Sequence, residues 1–172
     1  MENRVFEAIS GVGAGREKSM FGESDDDVAR KEIAEGLSRL LADTFGLYLK
    51  THSYHWNVTG SLFPALHALF ESQYVELQAA VDPIAERIRA LGYPAPGSFS
   101  EFSRLTALPE QQVRDAIGMV RDLAAGHGIV AQTARDVLVL AEHAGDAVTV
   151  DLATSRLEAH QLAAWMLLAT AE

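Results

Sequence analysis

From residue 28 onward, apolar residues recur every three or four positions, the period of an amphipathic helix and not the alternation of a half-buried strand. Ile33, Leu37, Leu41, Thr44, Tyr48 and Thr51/His52 mark one face of a long first helix. That helix is expected to end near residues 57–60, with Gly60 as breaker and Ser61 as the N-cap of the next. Leu66, Leu69, Phe70, Leu77, Val81, Ile84 and Ile88 carry a second helix to Leu91. Pro64 falls in its first turn, where a missing N–H costs little. Pro83 falls in its interior, but the pattern resumes in phase beyond it, so the helix is read as continuous. Gly92, Pro94, Pro96 and Gly97 mark a loop, followed by a short helix or turn over 98–103. A third long helix is expected to start near Pro109 and Glu110. Its seam is Val113, Ile117, Val120, Ala124, His127, Ala131, Ala134, Leu138 and Ala141, and Gly145 ends it. A fourth runs from about 146 to 170. The expected fold is all-α: a four-helix bundle with a short helix in the long connection between helices two and three.

The first 27 residues break this pattern. Gly11, Gly13, Gly15 and Gly22 interrupt them, and three basic residues face seven acidic ones, three of these in the run Asp25, Asp26, Asp27. They read as a flexible solvated tail (1–27) ahead of one bundle domain (28–172). The whole chain is acidic too, with a formal net charge of −10 and lysine only at positions 18, 31 and 50. That is the wrong sign for gripping a phosphate backbone. No cysteine is present, so disulfides, thiolate metal sites and thiol nucleophiles are excluded, and any metal must be held by His, Asp, Glu or backbone groups. No apolar run is long enough to span a bilayer and no apolar signal core opens the chain, so the expected location is the cytoplasm.

His67, Glu71, Asp82 and Glu86 lie within about a quarter of the second helix's circumference. Imidazole with carboxylates suits iron or zinc. The His67/Glu71 and Asp82/Glu86 pairs are nevertheless about 16 Å apart along the axis, too far to share one ion. A two-fold axis near residues 76–77 would run two copies of this helix antiparallel and place His67/Glu71 of one chain beside Asp82/Glu86 of the other. His55 can enter the same region from the adjoining turn. The alternative bundle layout, Glu-x-x-His on two helices, is not supported, because none of the six histidines has a glutamate three positions before it. Acids at i and i+4 are also common on an ordinary solvated helix face.

The run His55-Trp56-Asn57-Val58-Thr59-Gly60, followed by Phe63, His67, Phe70-Glu71, Asp82 and Ala85-Glu86-Arg87, resembles the signature of the Dps family of ferritin-like mini-ferritins. The likeness continues through Asp151-Leu152, Arg156-Leu157 and Ala164-Trp165-Met166-Leu167. The resemblance implies hollow dodecamers built from two-fold dimers. It also implies oxidation of Fe²⁺ to Fe³⁺, preferably by hydrogen peroxide over oxygen, and storage of the ferric mineral in the shell. His55, His67 and Glu71 would come from one chain, and Asp82 and Glu86 from its partner. Glu71 stands where many members carry aspartate, and Pro83 is a departure beside Asp82. Asp146 and Asp151 would line an acidic pore for iron entry, and Trp56 would serve as a radical sink. Two rival readings are a nucleoid-associated protein that coats DNA and a bundle that holds zinc without oxidase activity. The acidic tail and the three lysines disfavour the first.

Overall fold

The computed structural model describes residues 24–111 and 113–171, so most of the expected tail lies outside the described residues. Five helices follow one another: α1 (Asp25–Asn57), α2 (Phe63–Ala90), α3 (Phe99–Leu105), α4 (Ala116–Ala144) and α5 (Ala147–Thr170). No strand occurs among the described residues. The four long helices form the bundle, and α3 sits within the connection from α2 to α4, packed on α1.

Each helix end has a chemical reason. Ser24 caps α1 by accepting from the Asp27 amide, so Asp25, Asp26 and Asp27 form the first turn, where their charge complements the helix dipole. The acidic run is therefore helix and not tail. α2 starts at Phe63 with Leu62 at the N-cap and no side-chain cap. Ser61 does not fill that role: of the two amides a cap there could meet, that of Phe63 donates to the Gly60 carbonyl at 3.1 Å and Pro64 has none. Pro83 is accommodated inside an unbroken α2. Ser98 and Glu101 form a reciprocal capping box that starts α3. α4 begins at Ala116 and not near residues 109–110, because Asp115 accepts from the Gly118 amide at 2.7 Å and supplies the cap. Val113, expected in the seam, thus precedes the helix. Gly145 closes α4 with φ +69°, a left-handed conformation that glycine adopts without strain.

The core is mainly aliphatic, built on Leu37, Leu41, Leu47, Leu77 and Ile84 around the aromatic Phe70, all essentially without solvent exposure. Gly126 lets α4 approach α1 closely, since a Cβ there would stand 2.8 Å from Leu47 Cδ1. Polar ties cross this core. Asp43, 1% exposed, accepts from Thr106 Oγ1, the Ala107 amide and Thr133 Oγ1 at 2.7–2.8 Å, which anchors the connection and α4 to α1. Lys50 bridges Asp122 at 3.0 Å and the Pro109 carbonyl at 3.1 Å.

Candidate metal centre

α1 delivers His55 in its last turn and α2 delivers His67 in its second. The short turn between the helices folds the two imidazoles against each other, ring centroids 3.7 Å apart and planes inclined by 19°. Their hydrogen bonds are reciprocal. His55 Nδ1 donates to the His67 carbonyl and His67 Nδ1 donates to the His55 carbonyl, each at 2.9 Å. A carbonyl can only accept, so each Nδ1 carries a proton, and in the neutral ring each Nε2 carries the lone pair. Neither Nε2 is engaged by another described residue. This is the tautomer and orientation a metal-binding histidine needs.

Glu71 lies one turn beyond His67 and is exposed; Asp82 and Glu86, one turn apart near the far end of α2, are exposed as well. Among the described residues, no three His, Asp or Glu side chains of one chain converge tightly enough to hold an ion. The structure thus brings His55 and His67 together and leaves the three carboxylates as an acidic row on the open face of α2. Apolar side chains also remain uncovered from the last turn of α1 to the middle of α2: Trp56, Leu62, Phe63 and Val75 are 41–61% exposed.

Around the histidine pair lies a cluster of rings. Tyr74 meets His55 edge-on at 5.2 Å and stacks on His52 at 4.0 Å, and His52 touches Trp56 at 4.3 Å. Trp56 itself points outward, 61% exposed, because neighbours on a helix diverge by about 100°. Tyr74 was not singled out in the sequence; its place on the same face as His67, two turns on, was the available signal.

The acids at the start of α5 divide in two. Asp146 is the N-cap of α5 and receives Arg87 Nη2 on both carboxylate oxygens at 2.6 and 2.7 Å. Partial burial pushes its pKa up, but the hydrogen bonds from Arg87 and Thr149 prevail and hold the carboxyl below its ordinary range. Asp151 is exposed.

The remaining histidines serve structure. His143 donates to the Val139 carbonyl in the last turn of α4. His127 and His160 are buried and face each other, Nδ1 to Nδ1 at 3.0 Å. Sequence suggested no partner for His160, because this one stands 33 residues away on α4. Arg156 Nη2 donates to His160 Nε2 at 3.3 Å, so His160 must donate from Nδ1 to His127. Arg156 is paired in turn with the Glu76 carboxylate. Burial drops His127 to about 4, with Glu76 opposing and Arg156 adding to the shift. Burial, His127 and Arg156 push His160 well below its ordinary value.

The helical bundle is that of a ferritin-like protein: residues 34–172 match the ferritin-like domain family. The chain is 38% identical over 148 residues to a low temperature-induced protein from Nostoc sp., spanning 82% of this chain and 80% of that one. It is 35% identical over 138 residues to DNA protection during starvation protein 1 of Deinococcus radiodurans, spanning 78% and 66%. The structure superposes on the crystal structure of the Dps protein from Vibrio cholerae, described as a member of the ferritin-like diiron-carboxylate superfamily. The TM-score is 0.81 at 33% identity, covering 85% of this chain and 92% of that one. The chain belongs to the Dps family.

Proposed function

We propose that this protein oxidises Fe²⁺, preferably with hydrogen peroxide, at sites shared between two subunits, and stores the ferric product inside a hollow homo-oligomeric shell, a dodecamer on the family pattern. The observation that carries the reading is the reciprocal histidine pair, whose Nε2 lone pairs are both free beside a row of exposed carboxylates. Iron is substrate and cargo here. The two imidazoles supply affinity for Fe²⁺, the ion that must arrive first. Carboxylates are hard anions that favour Fe³⁺ and so promote loss of the electron. Glu71 completes the set on the histidine side, and Asp82 and Glu86 of a second chain close it once two α2 helices lie antiparallel. The uncovered Trp56, Leu62, Phe63 and Val75 suit burial in such a contact.

Each peroxide needs two electrons to become two waters. Two Fe²⁺ ions acting together supply both and release no hydroxyl radical. Asp151, free of an internal cation, is the acid placed to draw Fe²⁺ inward, whereas Asp146 is already neutralised by Arg87. The protein works in the cytoplasm in this reading; among the described residues no helix is long and apolar enough to cross a membrane. DNA coating has no support from the charge of the chain.

The test is anaerobic loading with Fe²⁺ followed by peroxide. Two Fe²⁺ consumed per peroxide, without spin-trapped hydroxyl radical, is the expected result. One Fe²⁺ per peroxide with abundant radical would contradict the paired chemistry. Tight zinc retention with no Fe²⁺ turnover would favour the zinc reading.

A further inference from the structure

All four long helices send a polar side chain into the interior near the middle of the bundle. These are Thr44 on α1, Gln73 on α2, His127 on α4, and Arg156 and His160 on α5, none more than 7% exposed. Helix register puts them on one level. Gly126 of α4 packs on Leu47 of α1, and Thr133 bonds Asp43, so Thr44 lies within about one turn of His127 along the axis. Arg156 pairs with Glu76, and Asp146 with Arg87, so α2 and α5 run antiparallel and Gln73 stands opposite His160. The His127–His160 bond joins α4 to α5 at the same height. Five buried side-chain atoms have no hydrogen-bond partner among the described residues: Thr44 Oγ1, Gln73 Nε2 and Oε1, His127 Nε2 and Arg156 Nε. Every one of them belongs to this level. Orphaned polar atoms scattered through a core are local costs, whereas orphans gathered from four helices mark a place where something binds.

We infer that this level is an internal hydration site, where water molecules bridge α1, α2, α4 and α5 inside each subunit. The chemistry of the five atoms selects the ligand. His160 donates from Nδ1 to His127 Nδ1, so neutral His127 carries its own proton on Nε2 and offers a donor there. Arg156 Nε and Gln73 Nε2 are donors too, Gln73 Oε1 is an acceptor, and the Thr44 hydroxyl is either. A metal ion does not suit this set, because three of the atoms present hydrogens, and among the described residues no three His, Asp or Glu side chains converge to hold one. An anion accepts only, which would leave Gln73 Oε1 bare, and the charge of Arg156 is already matched by Glu76. Water accepts and donates, adds no charge, and serves every atom of the set. The site is thus a polar tie between the α1–α2 and α4–α5 halves of the bundle, separate from the histidine pair at the α1–α2 turn.

A high-resolution crystal structure of the full chain, grown at neutral pH without halide, tests this directly and needs no variant to fold. Ordered oxygen atoms should lie within about 2.7–3.2 Å of His127 Nε2 and of Gln73. A second crystal soaked in bromide should show no anomalous peak at this level. In solution, water relaxation dispersion on the parent protein counts long-lived internal waters, and Gln73→Met, similar in size but unable to hydrogen-bond through an amide, should lose at least one per chain. Continuous packing at this level with no density beside His127 Nε2 would overturn the inference, as would Gln73 Oε1 turning to meet that nitrogen itself. A bromide peak there would replace water with an anion, and an anomalous metal peak would replace it with a cation. An unchanged count of long-lived waters in folded Gln73→Met would also contradict the site.

Discussion

A histidine that donates from one ring nitrogen leaves the other to accept a proton or bind a metal, and here two histidines are fixed this way by each other's backbone. Removing one partner does two things: it deletes a ligand and frees the remaining ring to turn. His67→Ala should therefore slow peroxide-driven Fe²⁺ oxidation by about 100-fold or more in stopped-flow absorbance, beyond the 10–100-fold typical of losing an orienting contact alone. Glu71→Gln keeps the shape and removes the charge, so anaerobic titration should show Fe²⁺ affinity weakened by about tenfold with the helical signal unchanged. The candidate histidines and acids and the common helix face of those on α2 were legible in the sequence, because a period of 3.6 residues and the motif around His55 are local facts. The ring pairing was not, because it depends on the path of residues 58–62 between two helices. The Asp146–Arg87 and His127–His160 pairs were hidden for the same reason, their members being 59 and 33 residues apart.

Helix periodicity located all four long elements, the glycines at 60 and 145 marked real ends, and the short helix expected over 98–103 is α3. The errors were at helix starts, where caps compete. Asp115 outcompetes the earlier Pro109–Glu110 signal, and Ser61 lacks a target because the Phe63 amide is taken by the Gly60 carbonyl and Pro64 has no amide. Between α3 and α4 the chain is held by side chains of α1, and Asp43 is the main anchor. Asp43→Ala would strand two hydroxyls and an amide in a buried place, which predicts a loss of about 2–4 kcal/mol. Chemical denaturation followed by circular dichroism checks it; Asp43→Asn, which keeps an acceptor, should cost less. Arg87→Ala should leave α2 helical but release Asp146, whose carboxyl pKa should then rise toward the ordinary value, as nuclear magnetic resonance titration would record.

At the scale of the whole molecule, the buried His127–His160 pair makes stability depend on pH. In the folded chain His127 titrates at about 4, below the unfolded value of about 6.5, so the unfolded state binds more protons in between. Stability is then complete above about pH 6.5 and falls as the pH drops toward 4, by up to about 3 kcal/mol from His127, with His160 adding in the same direction. Thermal melts across this range should show the decline, and replacing both residues with asparagine should flatten it. Neutral-pH melts of the double variant separate this slope from a general loss of packing.

Assembly bears on the same scale, since the proposed ligands, about 16 Å apart on one α2, could meet only between chains. The most direct measurement mixes two inactive proteins. His67→Ala and Glu86→Ala subunits, dissociated and reassembled together at equal ratio, should recover Fe²⁺ oxidation at about a quarter of the wild-type level. Half the dimers are then mixed, and each of these regains one intact site of its two. Recovery near that level supports sites shared between subunits; activity that stays at the level of the separate variants, with mixed dimers shown to have formed, would contradict it.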